Sequence, residues 1–361
     1  MSNSTLAHSV THSTPPLPTE LISQILQGSR LSKPDLARCC LVNHRLLSIT
    51  QRLLYSSITI CDGPYGRGKS GKTLQSPERL LLETLRKNCT LCGYIEEMEV
   101  IRCYPLSERG LKKLLGKFIE LAPGLDSLVL GCGVWGIEPV RALVFSEGKR
   151  WRTLNVGMDL LSVTREEKAK QWHELPNLRQ VRCFNLSVTE DPTLALPSSI
   201  EILDLERDLP STEPLPNPQL RVLRCRFSEK SLARLGSFQN LQRLTLSQRG
   251  ELPASLQEAT LATFSTLPVL RSLSIDIAPL RSRAILRDLL SHLPPSVERI
   301  DFLYAAPFKF LERFITSSST TFSIRSIGIS SRFTSSECNQ LRLETFSSAC
   351  REEGIEVVSL W

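Results

Sequence analysis

A short pattern of apolar residues recurs along most of this chain, and it constrains the fold more than any other feature of the sequence. The pattern is apolar-x-x-apolar-x-apolar. Its copies begin at Tyr55, Ile95, Leu125, Trp151, Leu178, Ile200, Leu220, Leu241, Leu270, Val297, Ile324 and Ile355. The triplet alone is weak, because a chain that is 41% hydrophobic would produce it about twenty times by chance. The spacing is informative: from Ile95 onward the copies begin about 20 to 31 residues apart, as in solenoid repeats.

A proline precedes several copies, as in Leu175-Pro176-Asn177-Leu178 and Leu267-Pro268-Val269-Leu270. Proline at this position ends the preceding helix before the chain turns into the next strand. Helical patterns between the copies predict return helices at 109–121, 164–174, 254–264, 281–293 and 335–353. One short strand and one return helix cannot bury their own apolar faces, so we expect the repeats to stack on one another.

The repeats resemble irregular leucine-rich repeats, and the resemblance covers nearly all of residues 56–361. It implies an α/β fold in which a curved solenoid carries parallel strands on its concave face and helices outside. Within each copy, including the last one, Ile355/Val358/Leu360, we expect the second and third apolar residues to point into the core. The residues between and just after them are expected to point outward.

The segment from Leu17 to Tyr55 predicts a unit of three helices before the repeats. Pro18 suits a first helical position, Ser32 and Asp35 form the two ends of a capping box, and a third apolar segment begins at His44. A unit of about 40 residues without a disulfide or a metal rarely buries enough apolar surface to be stable alone. Some of its apolar faces must therefore contact the rest of the chain or a partner protein.

This unit resembles an F-box in three stretches: Leu17-Pro18-x-Glu20-Leu21-Ile22-x-x-Ile25-Leu26, Asp35-Leu36 and Cys40-Leu41-Val42-x-x-Arg45-Leu46. The resemblance implies docking on the Skp adaptor of a cullin-type ubiquitin ligase. It assigns to the adaptor interface, or to the small core beneath it, the residues Leu17, Pro18, Ile22, Ile25, Leu36, Val42 and Leu46. The family usually has an aromatic residue at the position of Leu46. The alternative is a helical cap on the following domain.

Composition limits the classes of function. A net charge of +7 over 361 residues is modest, and we expect neither nucleic acid nor a membrane as partner. Eleven cysteines without a recognisable signal peptide favour a reducing compartment, hence the cytoplasm, the nucleus or both. The expected organisation is a disordered tail at 1–16, the F-box at 17–55, and the repeat array at 56–361 with a flexible Gly/Lys loop at 62–76.

That loop contains a literal match to the phosphate-binding motif G-x-x-x-x-G-K-[ST], from Gly66 to Thr73. The motif requires its lysine and threonine to open a helix. Pro77 would break such a helix in its second turn, and Ser76-Pro77-Glu78 instead predicts the start of a new one. A solvated loop is therefore favoured over a nucleotide-binding protein that uses Lys72.

No catalytic or metal-binding pattern is found. Cys89-x-x-Cys92 is half of a zinc motif without a second pair at a matching interval, and the five histidines show no ligand spacing. The sequence therefore predicts no enzyme activity, no cofactor and no metal.

Strand alternation predicts the outward-facing residues of neighbouring repeats. The residue between the second and third apolar positions is Arg182, Asp204, Arg224 and Thr245 in four successive copies. The residue after the third is Phe184, Glu206, Arg226 and Ser247 in the same copies. These charges either pair with one another or form a basic patch for an acidic or phosphorylated target. The residues of that predicted target-binding patch are Arg182, Phe184, Arg224, Arg226 and Arg243.

The sequence thus predicts the substrate-recognition subunit of a cullin-type ubiquitin ligase, in which the F-box docks on the Skp adaptor and the repeat array binds the target. Such a subunit needs no chemical group of its own, because it acts by proximity. The alternative is a non-ligase leucine-rich-repeat scaffold that binds proteins, and Leu46 is its best support.

Overall fold

The computed structural model describes residues 17–29, 31–62, 77–102, 108–131, 134, 138–157, 174–184, 199–205, 208–209, 218–248, 256–276, 283–303, 311–312, 315, 323–330 and 337–360. Several predictions lie outside these residues: the tail at 1–16, the phosphate-loop match at 66–73 and the helix predicted at 164–174, of which only Glu174 is described.

Three helices form at the N-terminal end of the described chain: α1 (Thr19–Gly28), α2 (Lys33–Cys39) and α3 (His44–Ser56). The predicted capping box is present, since Ser32 accepts a hydrogen bond from the Asp35 backbone N–H and the Asp35 side chain accepts one from Ser32 N–H. Asn43 caps α3 through its side-chain oxygen, which accepts from Leu46 N–H. Both α1 and α2 pack against α3.

Among the described residues, twelve parallel strands follow, and they form one sheet in which the order of the strands is their order in the chain. The first six strands are β1 (Ser57–Asp62), β2 (Glu97–Arg102), β3 (Ser127–Leu130), β4 (Thr153–Gly157), β5 (Gln180–Phe184) and β6 (Ile202–Leu205). The other six are β7 (Val222–Arg226), β8 (Arg243–Ser247), β9 (Ser272–Asp276), β10 (Arg299–Phe302), β11 (Ser326–Ser330) and β12 (Glu356–Leu360). A parallel sheet with this order is the topology of a solenoid, and the fold is consistent with a leucine-rich-repeat array.

The helices between the strands are α4 (Pro77–Lys87), α5 (Cys89–Cys92), α6 (Glu108–Leu121), α7 (Glu138–Ser146), α8 (Glu229–Arg234), α9 (Glu258–Ser265), α10 (Arg283–Ser291) and α11 (Glu337–Glu352). The helices predicted at 109–121, 281–293 and 335–353 are present within two residues at each end, and the one predicted at 254–264 begins at Glu258. Helix α4 begins at Pro77, four residues after Thr73, as the Ser-Pro-Glu sequence predicts.

The repeated apolar pattern builds the core. In the first eleven copies, the second and third apolar residues lie on the core face of the sheet, so that Met98, Leu128 and Leu154 follow one another in register. The first apolar residue of a copy is also buried where it precedes the strand, as at Ile95, Leu125 and Trp151. All of these side chains belong to one continuous core with the inner faces of the helices.

The last copy of the pattern differs from the prediction. In β12 it is Val357, and not Val358, that stands in register with the buried Ile327, while Val358 stands opposite Gly328 and Leu360 opposite Ser330. The predicted Ile355/Val358/Leu360 therefore places its second and third residues on the outward face. The sequence contains adjacent valines at 357 and 358, so either residue satisfies the pattern, and pairing with β11 selects the register.

The helical unit joins the array without a loop, because α3 ends at Ser56 and β1 begins at Ser57. Tyr55 packs against the core of the array. Lys33 Nζ donates a hydrogen bond to the Ser57 carbonyl oxygen at 2.9 Å, and Arg52 forms an ion pair with Glu96 at 3.6 Å. Helices α2 and α3 are thus attached to the start of the array at several points.

Candidate functional site

The helical unit exposes several large apolar side chains. Leu17 is 54% exposed, Ile25 58%, Val42 66% and Leu41 87%. Within the three helices, the buried apolar residues of the described chain are Leu36 and Ile49. Isolated exposed apolar residues are ordinary, but several on one small unit indicate an interaction surface.

The positions that the F-box resemblance assigns divide into an outer and an inner set. Pro18 is exposed together with Leu17, Ile25 and Val42, whereas Ile22 and Leu46 are half-buried and Leu36 is buried. Three further exposed apolar residues, Leu21, Leu31 and Leu41, were not among the predicted contact residues. Leu21 and Ile25 are four residues apart on one helix, and this spacing could have placed Leu21 among the predicted contact residues.

Polar contacts hold the three helices in this arrangement. The Arg45 guanidinium on α3 donates to the Leu17 carbonyl oxygen and to Thr19 Oγ1, which ties the start of α1 to α3. The buried Thr50 hydroxyl donates to the Leu46 carbonyl oxygen at 2.6 Å and lies 3.0 Å from the Cys40 thiol at the end of α2. These contacts stabilise the unit although its apolar core is small.

The second candidate surface is the face of the sheet opposite the core, which we call the open face. Arg182, Asp204 and Arg224 stand side by side on it, on β5, β6 and β7. Arg182 Nε lies 2.9 Å from Asp204 Oδ2, and Arg224 Nε lies 3.9 Å from Asp204 Oδ1. The predicted row is therefore present, and its charges pair with one another.

Two aspartates on the open face or beside it, Asp276 and Asp208, extend this pairing. Arg224 Nη2 lies 3.4 Å from Asp276 Oδ2 on β9, and Arg226 Nη1 lies 4.0 Å from Asp208 Oδ2. Sequence reasoning missed both acids, although Asp276 follows the third apolar residue of its copy and could have been found by extending the same reading to β9. Three of the four arginines of the predicted patch, Arg182, Arg224 and Arg226, thus each have an aspartate within 4.0 Å.

The remaining members of the predicted patch do not join this group. The side chain of Phe184 lies outside the described residues. Ser247, which was expected to point outward, is buried, and its hydroxyl donates to the Cys225 carbonyl oxygen at 3.2 Å. Arg243 is exposed at the first position of β8 and lines a separate groove.

This groove lies over the first halves of β8 to β12 and has a volume of about 810 Å³. Arginine and acidic side chains dominate its lining. The charged residues that line it are Arg243, Arg271, Glu298, Arg299, Asp301, Arg325 and Glu356. Arg299 forms an ion pair within the groove, since its Nε donates to Asp301 Oδ1 at 2.8 Å. A broad open groove of this charge suits a polypeptide segment better than an apolar small molecule.

Six cysteines whose side chains are described are free thiols in different surroundings: Cys39, Cys40, Cys89, Cys92, Cys225 and Cys350. Burial raises the pKa of the Cys225 thiol to about 12. Burial, and then the nearby Cys89, raise the pKa of Cys92, whose Sγ donates to the Leu85 carbonyl oxygen. Among the described residues, no group of three or more His, Cys, Asp or Glu side chains is placed to hold a metal ion. None of the described helices is both long and apolar enough to cross a membrane.

Comparison with known proteins adds two distant structures. No protein-family model matches the chain, and no curated protein matches it. An internalin from Listeria monocytogenes shares 10% sequence identity at a TM-score of 0.35, with 79% of this chain and 91% of that chain covered. A protein from Bacteroides fragilis shares 10% identity at a TM-score of 0.36, with 79% and 72% covered. The description of the fold depends on the order of the twelve strands and not on these matches.

Proposed function

We propose that this chain is the substrate-recognition subunit of a cullin-type ubiquitin ligase, with its helical unit docked on a Skp-type adaptor and its repeat array holding the target protein. The array is a protein-binding scaffold of the leucine-rich-repeat type. The observation that supports the ligase assignment is the set of apolar residues on the helical unit that the array leaves uncovered, Leu17, Ile25 and Val42 above all.

These residues coincide with the outer positions of the F-box resemblance, while the inner position Leu36 is buried. Covering a side chain such as Ile25 removes apolar area from water and stabilises a complex by about 1.5–3 kcal/mol for a fully buried residue. A solitary helical cap would instead turn these side chains toward the array. The surface therefore supports an adaptor-binding role.

The array supports the second half of the proposal. Its open face presents charged and polar side chains on twelve adjacent strands, a surface whose specificity can change without a change of fold. A receptor of this kind accelerates ubiquitin transfer by holding a lysine of the target near the conjugating enzyme. In the proposed mechanism, the chain contributes position and no reacting group.

Co-elution with a purified Skp adaptor tests the assignment. Wild-type chain is expected to co-elute with the adaptor, and the double variant Ile25→Glu/Val42→Glu is expected not to, because a carboxylate at either position would be buried without a partner. A matched control is Leu80→Glu/Val269→Glu, which changes two exposed apolar residues elsewhere and should retain the adaptor. Failure of the wild-type chain to bind, or equal retention by both variants, would remove the ligase assignment.

A second candidate is a protein-binding scaffold that joins no ligase. The observation that favours it is Leu46, which is half-buried at the position where the F-box family usually has an aromatic residue. A scaffold would keep its target and its cellular role in the Ile25→Glu/Val42→Glu variant, whereas a receptor would lose ubiquitination of that target.

A further inference from the structure

Three arginines in the groove over β8 to β12 differ from the other arginines of the open face. The guanidinium groups of Arg243, Arg271 and Arg325 make no hydrogen bond or ion pair with any residue that the structure describes. By contrast, Arg182, Arg224, Arg226 and Arg299 each have an aspartate within 4.0 Å. The groove therefore contains positive charge that the sheet itself does not neutralise.

The spacing of these arginines is fixed by the strand ladder. Arg271, Glu298 and Arg325 each precede a strand by one residue. Backbone hydrogen bonds join them: Glu298 N–H donates to the Arg271 carbonyl oxygen, and Arg325 N–H donates to the Glu298 carbonyl oxygen. Arg271 and Arg325 are thus two strands apart, or roughly 9.6 Å at the usual strand separation. Arg243 begins the strand on the other side of Arg271.

A polyproline II peptide that crosses the strands matches this spacing. Its residues i and i+3 point the same way and lie about 9.3 Å apart, because the helix has three residues per turn and a rise of 3.1 Å. Carboxylates at those two positions would face Arg271 and Arg325. The residues between them would pass Glu298, where a negative charge is unfavourable.

The acidic members of the groove exclude a uniform polyanion. Glu298 lies between Arg271 and Arg325, and Glu356 follows Arg325 on the next strand. A nucleic-acid backbone carries a charge on every residue and would place some of them against these glutamates. A peptide with acidic residues at intervals avoids the repulsion.

We infer that the groove lined by Arg243, Arg271 and Arg325 binds an extended acidic segment of the target protein, with acidic residues three positions apart. The inference deepens the target-binding half of the proposed function and is independent of the adaptor. It also moves the target-binding cations from the paired Arg182, Arg224 and Arg226 to a neighbouring part of the open face. Arg243 is the residue that both assignments share.

The test uses fluorescence anisotropy with full-length protein and a labelled peptide of four Glu-Pro-Ser repeats. A second peptide has the same composition with its glutamates adjacent. We expect the spaced peptide to bind about fivefold more tightly than the clustered one. Arg243→Ala/Arg271→Ala should weaken binding of the spaced peptide about tenfold, since each exposed charge-assisted contact supplies a severalfold factor.

Two matched variants separate specific contacts from net charge. Arg86→Ala/Arg351→Ala removes the same charge from exposed positions on α4 and α11 and should bind like wild type. Arg271→Glu/Arg325→Glu should prefer a peptide of Lys-Pro-Ser repeats. Equal binding of the two acidic peptides, equal loss in the control variant, or tighter binding of single-stranded DNA than of the spaced peptide would each overturn the inference.

Measuring adaptor co-elution on the same proteins keeps the two proposals apart. Arg243→Ala/Arg271→Ala should retain the adaptor fully, because both arginines lie in repeats far along the chain from the helical unit. Loss of peptide binding with adaptor binding intact therefore concerns the groove alone. Peptide binding without adaptor binding would contradict the ligase assignment and leave the groove inference standing.

Discussion

Gly328 on β11 provides the space that the Asp301 carboxylate on β10 occupies, since a Cβ atom at residue 328 would overlap Asp301 Oδ1. The two residues stand opposite each other in the ladder, with Ser274 next in the row. Arg299 Nε donates to Asp301 Oδ1 at 2.8 Å, and Ser274 Oγ donates to Asp301 Oδ2 at 3.4 Å. One glycine thus allows a buried carboxylate to keep its partners.

Gly328→Ala is expected to lower the free energy of unfolding by about 1–3 kcal/mol, because the added methyl group must displace Asp301 or the Leu360 side chain. Urea unfolding followed by circular dichroism measures the effect. Gly116→Ala in α6 is the matched control: a Cβ there meets no atom within 4 Å, so the change should stabilise the helix by about 0.5–1 kcal/mol. Similar behaviour of the two variants would contradict this account of Gly328.

The exposed apolar residues of the helical unit should be replaceable without loss of stability. Ile25→Ser/Val42→Ser should change the free energy of unfolding by less than about 0.5 kcal/mol, because both side chains are largely exposed in the free chain. Leu36→Ala, at a buried position on α2, should cost about 2–5 kcal/mol. Thermal unfolding of the three proteins tests the prediction, and marked destabilisation of the serine variant would mean that the array covers this surface in solution.

The ion pair between Arg182 and Asp204 predicts a measurable coupling on the open face. A double-mutant cycle with Arg182→Ala and Asp204→Ala should give a coupling of about 0.5–1 kcal/mol, because the pair is 2.9 Å apart and Asp204 is partly shielded from water. The coupling should fall as salt is added. A coupling near zero would indicate that the row is screened and that its arginines are available to a target.

The contacts of His292, which join α9 to α10, should make the free energy of unfolding depend on pH. The Asp288 carbonyl, which lies 2.8 Å from Nδ1, and then Glu258, which lies 3.2 Å from Nε2, raise the pKa of His292. A raised pKa in the folded state stabilises the fold below the unfolded-state pKa of about 6.5, and this stabilisation is lost as the pH rises through the folded-state pKa.

The free energy of unfolding of wild type minus that of His292→Gln should therefore be larger at pH 5.5 than at pH 8. The difference is expected to be about a few tenths of a kcal/mol, since Glu258 is mostly in water. Urea titrations at the two pH values measure it. An advantage of wild type that grows toward pH 8 would contradict the assigned contacts.

Cysteine reactivity should follow burial. At pH 8, iodoacetamide is expected to modify the exposed Cys89 within minutes and to leave Cys225 and Cys350 unmodified, because burial raises the pKa of each of these two thiols to about 12. Mass spectrometry of digested protein, before and after unfolding in urea, distinguishes the sites. Rapid labelling of Cys225 in the folded protein would show that β7 opens readily.

The sequence predicts the array well because the apolar pattern within each repeat is enough to locate the strand of that repeat. Ile95, Met98 and Val100 are all fully buried, and the same holds for Leu270, Leu273 and, to within 1%, Ile275. The apolar spacing that defines a strand is local, so no knowledge of distant contacts is needed. The capping box of Ser32 with Asp35 is predictable for the same reason.

The ion pairs of the open face were predicted less completely, because each charge pairs with a residue on another strand. The row of Arg182, Asp204 and Arg224 follows from alternation, but the pairing of Arg224 with Asp276 crosses β8 and needs the register of three strands. The shift in β12 has a similar cause: Val357 and Val358 are equivalent in the pattern, and only contact with β11 distinguishes them. Arg271, which precedes β9 by one residue, was not among the predicted target-binding residues.

Because α3 continues directly into β1, the number of strands sets the distance between the helical unit and the groove over β8 to β12. Seven strand spacings of about 4.8 Å separate β1 from β8, which places the start of the groove roughly 34 Å along the sheet from the strand that follows α3. Deleting one repeat would shorten that reach by about 5 Å without altering either end. The number of repeats would then set how far from the helical unit a bound target protein is held.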